Sequence, residues 1–408
     1  MLAAGIVAAA ALASCSGGPP TTRGSPAPPT TSAPPEAALT GGATPVPAPT
    51  GPTVSPPTTI DARCASDVSA ALQSWLGSLP PSTTVRLASG ACYRVDEGIA
   101  LTGPQGLTVY GGTFRNDSTA ATGRSKGSPV FTVFGGSRVA FEAMHLAGAN
   151  DGGYHARLAF AGGIEVEGTA QATIRGVTIA DTFGDGITLA PLRGGADHRS
   201  GHIVAPATNV VVRDVTVRGA GRQGVTFASV DGATLEDVVV TDPGLDTFDF
   251  EADQGDEGAR NVTIDGCAAS GGVLFFANGG AGSGKNTGNV TVEHCTMAKP
   301  EGGSAVLVQR PGAGTTLRGP FVFSADELWC GASAYVACVQ LTGGQVTLSG
   351  VTLRFPRSTT HEAVYHLGAG STAAFENDVV DGYGRRGSSG PGSNARVSGG
   401  RWTPASSR

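Results

Sequence analysis

The chain has 408 residues, enough for one large domain or two ordinary ones, and its 63 glycines and 15% charged residues suit many short strands with tight turns better than helices. The formal net charge is −6 and no dense Lys/Arg run occurs. That argues against a nucleic-acid partner, because phosphate contacts need clustered basic side chains.

The chain opens on MLAAGIVAAAALASC, an apolar run that ends in small residues and is short for a bilayer span. Leu12-Ala13-Ser14-Cys15 resembles the lipobox of bacterial lipoproteins. The resemblance implies a signal peptide over 1–15, cleavage before Cys15 and lipid on its thiol. The chain would then be exported and held to a bacterial membrane or cell surface. Read as an ordinary secretory leader, the segment still exports it. Residues 16–60 are mostly Pro, Thr, Ser, Ala and Gly, which cannot bury enough surface to fold, and they predict a disordered tether. The folded domain is expected over 61–403.

Its start, DVSAALQSWLGSLPP, predicts an amphipathic helix with Asp67 as N-cap and Leu72, Trp75, Leu76 and Leu79 on one face. A helix here would cover the open end of the strands that follow, hiding an edge that would otherwise pair with other chains.

From there one pattern recurs: LTVYGG (107–112), VAFEAM (139–144), ATIRGV (172–177), VVVRDV (210–215), ATLEDV (233–238), VTIDGC (262–267), VTVEHC (290–295) and VTLSGV (346–351). Their third residues are Val109, Phe141, Ile174, Val212, Leu235, Ile264, Val292 and Leu348; Leu317 fills the gap before the last, and the spacings run from 23 to 38 residues. A second strand of period two follows most copies, as in GIEVEG, GITLAP, GVTFAS, FDFEAD and VLFFAN. Strand-only repeats of this length imply a solenoid whose stacked rungs bury a common inner face. The variable spacing argues against a propeller, and the absence of regular leucine spacing argues against leucine-rich repeats. Stacking would place Phe227, Phe250 and Phe275 inside successive rungs.

Without Cys15, six cysteines remain, an even number that predicts disulfides in an exported chain. Cys267 and Cys295 occupy the same place in neighbouring copies, within bridging reach. Proximity in sequence pairs Cys64 with Cys92 and Cys330 with Cys338.

The helix, VRLASGACYRV, LTVYGGTF and the rungs through VTIDGC together resemble the pectate-lyase-like right-handed parallel β-helix superfamily. The resemblance implies a right-handed, single-stranded parallel β-helix over roughly 62–402, closed by the N-terminal helix. Members include polysaccharide lyases, glycoside hydrolases, epimerases, esterases, tailspikes and proteins with no known activity, so the fold selects no reaction.

Period-two parity turns Glu165 and Glu167 outward, then Thr226 on a later rung, then Asp249 and Glu251. Asp185, Gln223 and Asp246 align just before these strands, with Arg222 beside them. Asp249 and Glu251 would stand about 6.6 Å apart along one strand, and Asp185 and Asp246 about 9.6 Å apart across two rungs. Two carboxylates so spaced suit an inverting glycosidase. The same acids, Asp249 and Glu251 above all, could hold Ca²⁺, and a lyase would add Arg222 to neutralise a uronate. Acids on a solvated face paired with Arg222 are the plain structural alternative. GRQGVTF followed by FDFEAD resembles a segment of uncharacterised bacterial β-helix proteins, matched here at Arg222, Gly224, Asp249 and Glu251. The Asp-Asp and Arg-x-Lys patterns of polygalacturonases are not evident.

Two long inserts could roof such a site. One, at 148–163, carries Tyr154; the other, at 191–208, carries His198 and His202. The sequence therefore predicts a β-helix acting on polysaccharide or oligosaccharide by hydrolysis or elimination. Asp249, Glu251, Arg222, Asp185 and Asp246 would do the chemistry. Glu165, Glu167, Gln223, Thr226, His198, His202 and Tyr154 would contact the sugar. The other reading is a non-catalytic carbohydrate-binding or structural envelope protein.

Overall fold

The recurring pattern folds as stacked turns of parallel strands. The computed structural model describes residues 45–119, 127–252, 257–279, 287–298, 304–309, 319–330, 337–355 and 363–404, with backbone alone for 273–279. All of them belong to one unit, Ala33–Arg408. The leader, Cys15 and the tether before residue 45 lie outside the described residues.

The third positions of the repeat form one buried column. Val85, Val109, Phe141, Ile174, Val212, Leu235, Ile264, Val292, Phe323, Leu348 and Phe375 pair in register from strand to strand. Phe323 takes the place expected for Leu317, which lies outside the described residues. A branched aliphatic or aromatic side chain at each step fills the interior while its neighbours face outward.

Recurring Asn-Val-Thr has a structural cause of its own. Asn261 and Asn289 turn the chain in the left-handed region, at φ 55° and 54°. Asparagine tolerates that region because its short amide bonds locally. Asn289 Nδ2 donates to Asn261 Oδ1 at 2.6 Å, and Asn261 Nδ2 donates to Asp231 Oδ1 at 2.7 Å. Three neighbouring corners are thus tied together.

An eleven-stranded parallel sheet runs from Ile99–Thr102 to Arg385–Ser389 among the described residues. It forms one wall. A larger parallel sheet forms the others, continuous because Ala207–Arg218 and Ser229–Thr241 run through both of its ladders. The helix, Ser69–Gly77, has Val68 and not the expected Asp67 as its N-cap; Asp67 stands one residue earlier, and its Oδ1 accepts from the Ser69 N–H at 3.0 Å. Leu72 and Leu76 are buried, and Trp75 and Leu79 pack against the same core. Gln73 Oε1 accepts the Ala100 N–H of the first strand of the eleven-stranded sheet at 2.8 Å.

The last part of the expected tether is ordered onto the fold. Val54 makes a parallel bridge to Val85, Ile60 is buried, and Tyr110 Oη donates to the Val46 carbonyl at 3.0 Å. A few apolar side chains in a proline-rich segment are enough to dock it on the first rung.

Three disulfides join the expected pairs. Cα separations are 5.1 Å for Cys64–Cys92, 4.5 Å for Cys267–Cys295 and 5.3 Å for Cys330–Cys338. The second links adjacent rungs, because Ile264 and Val292 are register partners three residues earlier. Bridges of this kind belong to an oxidising compartment outside the cytoplasm.

Phe227 and Phe250 stack inside, ring centroids 4.4 Å apart and 11° from parallel. The backbone register differs from the expected one: Phe275 is the partner of Phe248, and Ala277 that of Phe250.

Candidate functional site

The site lies on the outer face of the eleven-stranded sheet, where glycine opens several strands. Gly163, Gly186 and Gly224 precede three successive strands. A Cβ at Gly186 would stand 2.4 Å from Val217 Cγ1, and one at Gly224 2.4 Å from Val240 Cγ1. Only glycine lets these walls approach so closely. The tight entry fixes the residues just before it, Asp185 in one turn and Arg222-Gln223 in the next.

Register then stacks the outward side chains. Thr132, Glu165, Thr188, Thr226 and Asp249 are consecutive partners in one column. Phe134, Glu167 and Ala190 are partners in the column beside it, where Glu251 also falls. Two acidic pairs, Glu165/Glu167 and Asp249/Glu251, therefore stand three strands apart, ~14 Å. Small Thr and Ala side chains lie between them.

A cavity of about 330 Å³ opens over this floor. Glu165, Glu167, Asp185, Arg222, Thr226 and Glu251 line it, with Tyr154 and Phe160 at the first insert and Arg193 and Arg199 at the second. The second insert is a hairpin: Leu192–Arg193 pairs antiparallel with Ile203–Ala205. Its arginines face the acids. Arg199 bonds Glu165 and reaches Glu167 Oε1 at 3.1 Å, while Arg193 bonds the buried Glu257. Glu257 had no signal in the sequence, being one of several acids in a segment without periodicity. The hairpin arginines were visible as part of an insert but carried no register to aim them.

Arg222 bridges the second group. Its Nη1 lies 3.3 Å from Asp185 Oδ2 and its Nη2 2.5 Å from Glu251 Oε2. Asp185 also accepts from Thr226 Oγ1 at 2.9 Å, Thr188 Oγ1 at 3.1 Å and the Gln223 N–H at 3.2 Å. Burial raises the pKa of Asp185, against the pull of Arg222 and these donors. Burial likewise raises Glu165, and it pushes Glu167 up to about 9 with help from the Glu165 charge.

Several expected residues lie elsewhere. Asp249 is 1% exposed and does not line the cavity; its Oδ2 accepts from Gln223 Nε2 at 2.8 Å. Burial, then Glu251 and Asp246, hold its carboxyl well above the ordinary range. Asp246 and Gln223 share a column with Asp185, since Ile187, Val225 and Phe248 are partners two residues later, yet neither lines the cavity. His198 and His202 are also outside it. The His198 ring packs on Phe134 at 5.0 Å, and the His202 ring lies against Gly194.

The expected Ca²⁺ ligands are committed to the protein. Asp249 bonds Gln223 and Glu251 bonds Arg222, so a guanidinium already supplies the positive charge. Among the described residues no three His, Cys, Asp or Glu side chains converge as a metal-ligand set.

No protein-family model matches the chain, and no curated protein matches it. Solved structures do, and with the parallel sheets they show a parallel β-helix fold. The tailspike protein of Escherichia coli bacteriophage HK620, solved with a pentasaccharide, aligns with 13% identity over 85% of this chain and 65% of its own, TM-score 0.58. The catalytic unit of a GH87 α-1,3-glucanase from Streptomyces thermodiastaticus aligns with 16% identity over 88% of this chain and 70% of its own, TM-score 0.56. A GH87 α-1,3-glucanase catalytic domain in complex with nigerose has 10% identity over 77% of this chain and 58% of its own, TM-score 0.51. The chain thus spans about 65% of the tailspike's length.

Proposed function

We propose that the cavity binds an oligosaccharide segment of a polysaccharide and hydrolyses a glycosidic bond. The observation that carries this is the division of labour among acids in one cavity. Glu167 keeps a proton up to about 9, whereas Asp185 is oriented by Arg222, two threonines and a backbone N–H. Carboxyl groups whose environments separate their roles are the pattern of acid–base pairs. Glu165 and Glu167 share a proton, and Glu165, nearer the opening, delivers it to the leaving oxygen. Asp185 takes a proton from the attacking water, with Arg222 holding it and Glu251 in place.

The oligosaccharide complexes of the tailspike and of the glucanase with nigerose support a sugar ligand. So do Tyr154, 43% exposed, and Phe160, 46% exposed, whose faces suit sugar rings at the rim. The same aromatic rim favours a second reading, sugar binding without cleavage. Incubation with a polysaccharide panel, following reducing ends, separates the two. Release of reducing ends by the wild type and its loss in Asp185→Asn is the expected result. Binding with no cleavage sinks the hydrolase and leaves the binder.

We further propose that Cys15 carries lipid and that the segment after it spaces the domain from a membrane. Cys15→Ala should then move the protein from the membrane fraction to the soluble one.

A further inference from the structure

We propose that this cavity selects amine-bearing sugars over uncharged ones and rejects uronates, with the Glu165/Glu167 pair as the seat of the amine; the proposal rests on the carbohydrate reading above and names its substrate class. Charge balance is the first argument. Glu165, Glu167, Asp185, Glu251 and Glu257 face Arg193, Arg199 and Arg222. Even with the Glu167 proton in place, carboxylates outnumber guanidinium groups.

Commitment of the cations is the second. Arg222 spends its two terminal nitrogens on Asp185 and Glu251. Arg199 is held by Glu165 and Glu167, and Arg193 by Glu257 and the Gly201 carbonyl. A uronate carboxylate would have to break one of these pairs and leave a buried acid uncompensated.

The third argument is what already sits on the pair. Glu165 and Glu167 accept a guanidinium from the tip of a hairpin, with the Arg199 side chain still 34% exposed. Glu167 itself is 2% exposed and lines the cavity, its Oε1 facing Arg199 and its proton shared with Glu165. An ammonium group entering beside or in place of Arg199 would meet the negative charge that the pair keeps. A neutral hydroxyl would gain only an ordinary hydrogen bond there.

Glucosamine, glucose and glucuronate share one ring and differ in charge, so they test the proposal without knowledge of the linkage. Binding to the intact folded protein is read by ligand-observed nuclear magnetic resonance at low salt, and again at high salt. Glucosamine should bind about tenfold tighter than glucose, and glucuronate about tenfold weaker. High salt should narrow both gaps. Glu165→Gln should shrink the glucosamine advantage to about threefold or less. Glucosamine binding no better than glucose, glucuronate binding as well as either, or an undiminished gap in Glu165→Gln each overturns the proposal. Hydrolysis is a separate readout: loss of the charge order with cleavage intact removes this inference alone, and the charge order without cleavage removes only the hydrolase.

Discussion

Glu165-Val166-Glu167 and Asp249-Phe250-Glu251 are one arrangement built twice, on the same two columns of the same sheet, and their environments are opposite. In the first strand the second acid, Glu167, is buried and keeps its proton, while Glu165 stands nearer the opening. In the second the first acid, Asp249, is buried, and Glu251 lines the cavity. The cation decides which is which. Arg199 reaches the first pair from a hairpin, and Arg222 reaches Glu251 from the turn before a neighbouring strand. Alternation and register set which face an acid occupies. The partner that arrives from another segment sets whether it stays wet, charged and available.

The largest break in this comparison should be catalytic. Glu165→Gln or Asp185→Asn should lower kcat by about 10²–10⁴-fold, the usual worth of a positioned acid or base, measured as reducing ends released. Equal loss in Asp249→Asn would mean that the two pairs are not differentiated. Arg222→Ala comes next. It leaves Asp185 and Glu251 facing each other without a counter-charge and should cost about 3–5 kcal/mol in denaturant unfolding. Arg199→Ala, with a partly exposed side chain, should cost nearer 1 kcal/mol and expose the 191–208 hairpin to proteolysis.

Titration sharpens the contrast. Glu167 takes its proton at about 9 in the folded chain against an ordinary 4.5. Folding therefore binds a proton between those values, and stability is full at low pH and falls as pH rises toward 9. The slope should reach at most about 1.4 kcal/mol per pH unit, and thermal melts of Glu167→Gln should lack that share of it. Asp326, raised to about 8 by burial while accepting the Cys295 N–H, adds a slope of the same sign over a shorter range. Asp249→Asn should have the smallest effect in acid. A carboxamide resembles a protonated carboxyl, so the melting temperature should not move below the ordinary carboxyl value of 3.8, and the variant should become the more stable as pH rises above it.

Most of the fold was legible because a solenoid writes its interior as a local pattern. Val109, Phe141, Ile174, Val212, Leu235, Ile264, Val292 and Leu348 all lie in the column that the repeat predicted. One misassignment, Leu317 for Phe323, arose where FVFS departs from the motif and a nearby TTLRGP imitates it. The Phe227–Phe250 stack was readable for the same reason. The place of Phe275 was not readable, because Phe248 and Phe250 point the same way and register alone pairs it with Phe248.

The sequence by itself determined the rungs, the outward face of each acid, the three cysteine pairs and the column of Asp185, Gln223 and Asp246. All but the Cys64–Cys92 and Cys330–Cys338 pairs, which rest on proximity in sequence, follow from side-chain alternation and from the fixed spacing of parallel strands. Tertiary structure decided the rest: that Asp249 is buried on Gln223, that Arg199 and Arg193 rather than His198 and His202 reach the acids, and that Glu257 joins them. Those contacts join residues 26 to 64 positions apart through turns and loops of irregular path. No periodicity aims a side chain there, because its direction is set by packing and charge pairing across rungs.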